Sequence, residues 1–217
     1  MTSRSIVLQR IRENLGSSPS PELPPVPVVW PTTNPATEDL RSRFVEELRS
    51  VHGEPIAASS REEAASVLRD LVQAAGWNRV LVMDRPLARD LVARADLAWE
   101  TTLLPDDPPA RDLAGIPVAV IQADYLLADT GSSVVVCERP GERLACYLPP
   151  ACIVVAEVSQ LREHLPALWN ELAAKAAEPD RRGEFVIITG PSRTADIEKI
   201  LILGVHGPKR LLVLVVG

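Results

Sequence analysis

Runs of four to six consecutive apolar residues recur along this chain: Val80-Leu81-Val82-Met83, Val118-Ala119-Val120-Ile121, Ile153-Val154-Val155-Ala156, Phe185-Val186-Ile187-Ile188 and Leu211-Leu212-Val213-Leu214-Val215-Val216. A strand with one face in water alternates apolar and polar residues, whereas a strand covered on both faces has no need to. The runs therefore point to a sheet sandwiched between other layers. They fall short of the ~18 apolar residues that a membrane-spanning helix needs.

Amphipathic helices separate the earlier runs. Leu40, Phe44, Val45 and Leu48 form one apolar stripe in a helix restarting near Thr37. Pro55-Ile56-Ala57-Ala58 reads as a short strand. Ser60-Arg61-Glu62-Glu63 matches a capping box that opens a helix through Ala75, stopped by Gly76. Pro86 suits the first turn of the next helix, and Leu97-Ala98-Trp99 reads as a third short strand. Strand, helix, strand, helix, strand with short links calls for parallel strands in an α/β fold. From 117 to 156 the strands crowd together without long helices, which predicts an antiparallel insert or hairpin. Residues 159–177 read as an amphipathic helix, 185–188 as a strand, 194–203 as a short helix and 211–216 as a final buried strand.

The N-terminal segment stands apart. Ile6 or Val7, Leu8, Ile11 and Leu15 give a helix one apolar face over residues 4–15. Seven prolines then fall between 19 and 35, which excludes regular helix or central strand. The expected organisation is an N-terminal helix with a Pro-rich arm, residues 1–35, followed by an α/β domain, residues 36–217. Packing of the first helix on a partner subunit is one use for such an arm.

The net charge of −6 disfavours wholesale binding of nucleic acid or an anionic surface, and leaves room for a local basic site. Charges interrupt the N-terminal apolar residues, so no signal peptide is read, and a cytoplasmic protein is expected. The three cysteines, Cys137, Cys146 and Cys152, lie in or beside apolar segments at spacings that suit neither a disulfide framework nor a metal or iron–sulfur site; inert core thiols are the reading. His52, His164 and His206 share no ligand spacing, so no metal site is expected. Glycine-rich nucleotide signatures are absent.

Two strings concentrate polar chemistry next to apolar runs. In the first, Ala128-Asp129-Thr130-Gly131-Ser132, a glycine-permitted turn would expose Asp129, Thr130 and Ser132 at a sheet end. Asp-Thr-Gly-Ser also matches the active-site loop of aspartic proteases, but that mechanism needs two such aspartates and a mostly β fold. The helix–strand alternation contradicts it. In the second string, Gly190-Pro191-Ser192-Arg193-Thr194-Ala195-Asp196-Ile197-Glu198, a strand runs into hydroxyls, an arginine and an expected helix start. Such a start can hold a carboxylate or phosphate; equally, Ser192 or Thr194 could simply cap the helix, with Asp196 and Glu198 favoured by its dipole. Glu198 could serve as an acid–base group or pair with Arg193. His206, in Gly204-Val205-His206-Gly207-Pro208, could carry a proton or bond a turn carbonyl.

These strings, with Ala123-Asp124 and Leu148-Pro149-Pro150, resemble the lactate-utilisation protein C family, the stand-alone LUD domains. The resemblance covers nearly the whole chain. It implies a NagB/RpiA/CoA-transferase-like α/β fold with a mixed sheet flanked by helices. It also implies a role in oxidising L-lactate to pyruvate beside two partners that carry iron–sulfur clusters, with no cofactor in this chain. It assigns no catalytic residues. The candidate ligand-binding residues are Asp129, Thr130, Gly131, Ser132, Gly190, Ser192, Arg193, Thr194, Asp196 and Gly207, holding a small anion, with Glu198 and His206 as candidate proton carriers. Two alternatives remain at this stage: a non-catalytic docking subunit for the iron–sulfur partners, and an independent enzyme acting on a coenzyme A ester, a phosphosugar or a folate.

Overall fold

In the computed structural model the described residues are 3–15, 30–31, 33–96, 100–178, 184–195, 201–203 and 207–217, with side chains left out at 193–195 and 201–203. The chain divides into two units, residues 1–31 and 32–217. Within the first, α1 (Ser3–Leu15) is a 13-residue helix with no buried residue.

The second unit begins with α2 (Thr37–Ser50), whose stripe buries Phe44 and Leu48. Next come β1 (Glu54–Ala58), α3 (Arg61–Ala75), β2 (Arg79–Val82), α4 (Pro86–Ala95) and β3 (Glu100–Leu103). The local signals act much as their chemistry requires. The Ser60 hydroxyl accepts from the Glu63 N–H, and Gly76 ends α3 at φ +65°. The Glu63 carboxylate reaches back one residue further than a capping box would, to the Ser59 N–H and hydroxyl. Pro86 opens α4. α2 starts at Thr37 with no side-chain cap. Leu97–Trp99 lie outside the described residues.

The remaining elements are α5 (Ala110–Ala114), β4 (Val118–Gln122), β5 (Tyr125–Leu127), β6 (Ser132–Cys137), α6 (Pro140–Ala145), β7 (Ala151–Glu157), β8 (Leu161–Arg162), α7 (Leu165–Ala176), β9 (Glu184–Ile188), β10 (Arg193–Ala195), β11 (Leu201–Leu203) and β12 (Arg210–Val216). Six strands form one sheet in the order β1-β12-β7-β4-β2-β3. Every neighbouring pair in it is parallel. A second sheet, ordered β8-β5-β6-β9, combines one parallel and two antiparallel pairings.

The layers follow from the two-residue period of the strands. One face of the large sheet, with Val80, Val82, Val118, Val120, Ile153, Val155, Leu212 and Leu214, packs on α3 and α4 through Leu68, Val72, Leu87 and Leu91. The opposite face, with Leu81, Ala119, Ile121, Val154 and Val213, meets Phe44 and Leu48 of α2 and the inner face of the small sheet through Leu126, Val135 and Ile188. On the outer face of the small sheet, Leu168 and Leu172 of α7 cover Tyr125, Leu127, Val134 and Val136, while Phe185 and Ile187 of β9 stay exposed. The four inner strands, β12, β7, β4 and β2, are thus dry on both faces, as their uninterrupted apolar runs predict, while the edge strands β1 and β3 are partly exposed.

Three local expectations are corrected. The 117–156 region is not wholly antiparallel: β4 and β7 are parallel neighbours in the large sheet, and only β5 and β6 form a hairpin. Buried apolar strands look alike whichever way they run. The helix expected from 159 starts at Leu165, after a 3-10 turn and β8. Where a helix was expected at 194–203, the described residues 193–195 and 201–203 pair as antiparallel strands, and 196–200 lie outside the described residues. The β-branched Thr194 and Ile202 face each other in that ladder, a position that suits stiff side chains.

Candidate functional site

The two polar strings come together at the amino ends of the large sheet, around the last turn of α2. Gly131 sits at φ +61°, and a Cβ there would lie 2.2 Å from the Leu48 backbone nitrogen. Gly190 sits at φ +81°, and its Cβ would lie 2.7 Å from the Val51 carbonyl oxygen. Only a residue without a side chain can take these backbone angles and approach so closely. The Ser192 N–H donates to the Pro208 carbonyl at 2.8 Å, and Gly207 faces Ser192, so 190–192 and 207–208 also meet.

Four side chains link the strings through hydrogen bonds. Ser132 and Thr189 oppose each other across β6 and β9, with their hydroxyl oxygens 2.6 Å apart. Ser132 donates to Thr130 Oγ1 at 2.8 Å, and Thr130 donates to Asp129 Oδ1 at 3.3 Å. Because the Ser132 proton is used on Thr130, the proton between Ser132 and Thr189 belongs to Thr189. The chain is therefore directional: Thr189 to Ser132 to Thr130 to the Asp129 carboxylate. Ser132 is buried while Thr130 and Thr189 are exposed, so the chain has a solvent-facing entry at Thr189, whose oxygen can still accept.

Of the residues singled out from sequence, Asp129, Thr130, Gly131, Ser132, Gly190, Ser192 and Gly207 belong to this junction. Arg193 and Thr194 begin β10, and their side chains are outside the description. Asp196, Glu198 and His206 lie outside the described residues. With no helix beginning at 194, a helix-terminus anion cradle is not formed there. Thr189 was missed. It closes an apolar strand beside Gly190, and only the β6–β9 register reveals that it faces Ser132.

A second polar cluster occupies the other end of the sheet. The connection leaving β2 goes to α4 on one face; that leaving the adjacent β4 goes to the small sheet on the other. Such divergence opens the crevice in which α/β proteins commonly hold ligands. Here Arg85 fills it. Its guanidinium donates through Nε and Nη2 to Glu142 at 3.0 and 2.9 Å, through Nη1 to Asp124 at 2.8 Å, and through Nη2 to the Val136 carbonyl. Asp124 also accepts from the Val136 N–H and from Lys175. Arg85 is 7% exposed and Glu142 2%. Burial alone would lower the Arg85 pKa, but the hydrogen bonds of Glu142 and the charges of Asp124 and Glu142 outweigh it and hold the group above its ordinary value. Two cations and two carboxylates balance, and the cluster is closed.

The cysteines contribute no exposed thiol. All three are free and buried; burial pushes the Cys137 and Cys152 thiols up to about 12 and Cys146 well above its usual value. Among the described residues no group of three or more His, Cys, Asp or Glu side chains could hold a metal ion, and no helix is long and apolar enough to cross a membrane.

A parallel α/β sheet with a smaller mixed sheet laid on one face, and two glycine-bearing strings joined at its amino ends, defines the class. The LUD domain family model matches residues 41–216, and the chain belongs to that family. It is similar to lactate utilization protein C of Geobacillus thermodenitrificans, 28% identical over an alignment of 237 residues that covers 99% of this chain and 96% of the relative. The lactate utilization protein C of Halalkalibacterium halodurans is 36% identical over 100 residues, covering 46% of this chain and 44% of that one. A DUF162 family protein from Deinococcus radiodurans, solved by crystallography, shares the fold at a TM-score of 0.64 and 18% identity, covering 84% of this chain and 99% of its own.

Proposed function

We propose that this protein is a component of an L-lactate utilisation system, oxidising lactate to pyruvate together with iron–sulfur partner proteins, and that it takes a small hydroxy acid at the Asp129–Thr189 junction. The relatives' names support the first part. The directional hydroxyl chain carries the second. Its open end at Thr189 accepts a hydrogen bond, which an α-hydroxyl group supplies, and Asp129 at the far end fixes the direction. Arg193, four residues after Thr189, is the proposed carboxylate partner, with Glu198 or His206 handling a proton. The iron–sulfur partners would supply the electron acceptor, and this chain would hold and orient.

Thermal unfolding with L-lactate, pyruvate and propionate tests this reading. A ligand at about 100 times its Kd adds about 2.7 kcal/mol, which is roughly several degrees for a chain of this length. L-lactate should stabilise the protein and propionate, lacking the hydroxyl, should do so much less. Thr189→Val should remove the difference and Arg193→Ala the binding. Equal shifts with lactate and propionate, or unaltered lactate binding in both variants, would count against the site.

A second reading is a non-catalytic docking subunit for the same partners. The closed Arg85–Glu142–Asp124 cluster favours it, because the crevice that ordinarily receives a ligand in such folds is filled by side chains. On this reading no small molecule shifts the unfolding, while the iron–sulfur proteins co-purify.

A further inference from the structure

We propose that α1 is an interfacial anchor that lays this protein on an anionic lipid surface. All five large apolar residues of this helix are exposed: Ile6 43%, Val7 52%, Leu8 41%, Ile11 48% and Leu15 70%. At about 100° per residue, Val7, Leu8, Ile11 and Leu15 fall within one stripe roughly 100° wide, with Ile6 on the far side. The basic residues are placed about that stripe. Arg10 lies about 60° beyond one edge and Arg12 about 40° beyond the other, while Arg4 continues the stripe at the N-terminal end. Glu13 and Gln9 occupy the opposite face, hydrogen-bonded to each other. None of the three arginines has a carboxylate partner among the described residues.

This arrangement suits a plane that is apolar below and anionic on every side. Long arginine side chains can lie along the stripe and place their guanidinium groups at the level of phosphates. A groove in a protein offers acids at fixed points; Arg10 and Arg12, one beyond each edge of the stripe, match a surface that offers phosphates along both sides, and Arg4, in line with the stripe at its N-terminal end, reaches that level by bending its long side chain upward. The charge balance agrees. Residues 3–15 carry three arginines and one glutamate, +2, and the whole chain is −6, so the remainder is −8. An acidic body is repelled by anionic lipid, which leaves the basic helix as the attachment. The seven prolines between 19 and 35 make the following segment a poor helix former, so the anchor ends at its own stripe. The proposal is independent of which ligand the domain binds.

Sedimentation of the full-length protein with vesicles tests it. Vesicles of phosphatidylcholine containing phosphatidylglycerol should carry the protein down at low salt, and phosphatidylcholine alone should not. Raising the salt should release it. Each arginine replaced by glutamine should weaken binding roughly fivefold. The Arg10→Glu/Arg12→Glu and Ile11→Asp proteins should stay in the supernatant while unfolding at the wild-type temperature, since no residue of α1 is buried. Failure of the wild-type protein to sediment with anionic vesicles at low salt overturns the proposal. So does equal binding to neutral vesicles, wild-type binding by the Arg10→Glu/Arg12→Glu protein, or capture of α1 by a protein partner while vesicles are ignored.

Discussion

Gly131 packs directly onto the backbone of Leu48: a Cβ on the glycine would stand 2.2 Å from the Leu48 nitrogen and 2.5 Å from its Cα. The contact seats the Asp-Thr-Gly turn on α2, and α2 must move to admit any side chain. Gly131→Ala should destabilise the protein by about 3 kcal/mol or more, measured by denaturant unfolding. Gly76 is the control. It has a similar positive φ but nothing within 4 Å of its Cβ position, so Gly76→Ala should show the backbone strain alone, about 1–2 kcal/mol.

Glu142→Gln should also be costly. It leaves the buried Arg85 charge short of a carboxylate, and loss of one member of a buried pair costs about 3–5 kcal/mol. Glu54→Gln is the comparison, because the Glu54–Arg210 pair is bidentate but about 40% exposed and should be worth only about 0–1 kcal/mol. A small loss in Glu142→Gln would mean that Asp124 and Val136 satisfy Arg85 unaided.

Stability should fall at alkaline pH because of the core thiols. Their folded pKa values are raised, to about 12 for Cys137 and Cys152, against about 8.5 in the unfolded chain. Above pH ~8.5 the unfolded state loses protons that the folded state keeps, so unfolding becomes easier as pH rises, and the contribution is complete below that pH. Each thiol adds a slope of up to about 1.4 kcal/mol per pH unit between ~8.5 and its folded value. A Cys137→Ala/Cys152→Ala protein should show a shallower alkaline decline, read by unfolding free energies from pH 8 to 10.

His164 caps α7, its Nδ1 accepting from the Ala167 N–H at 3.0 Å, while its buried Nε2 has no partner. His164→Ala should cost about 1 kcal/mol through the lost cap. His164→Asn should restore most of it, because an asparagine oxygen can accept the same bond. Equal losses in the two variants would assign the effect to packing of the ring.

Much of the fold could be read from residue pattern because each layer leaves its own trace. Uninterrupted runs such as 80–83 and 211–216 declare strands dry on both faces, and the stripe of α2 and the cap and stop of α3 declare their helices. Strand direction left no such trace, which is why β4 and β7 were expected in an antiparallel insert. The β10–β11 ribbon was missed because Ser, Thr and Asp after a strand are helix-start chemistry, and Thr194, whose β-branched side chain suits a ribbon, serves equally well as a helix cap. At the junction the glycines and hydroxyls of 129–132 and 190–192 were legible as polar groups beside apolar runs. Their meeting was not, since it depends on a register between β6 and β9 more than fifty residues apart in the chain. Arg85 and Glu142 were invisible for a similar reason: each lies near a helix-opening proline, the two are far apart in the sequence, and only the crossing of two connections brings them together.

The place of β12 has a consequence for how this protein is made. It follows every other described strand in the sequence, yet it lies between β1, the first of them, and β7. While the chain emerges from the ribosome, β1 has no partner in its sheet, and β7 presents an open edge that is apolar from Ala151 to Ala156. The large sheet can be completed only by inserting a strand into a gap already flanked on both sides, so its longest-range pairing comes last. The nascent protein therefore passes through a stage with two exposed strand edges, where a chaperone, or another unfinished copy, competes with β12.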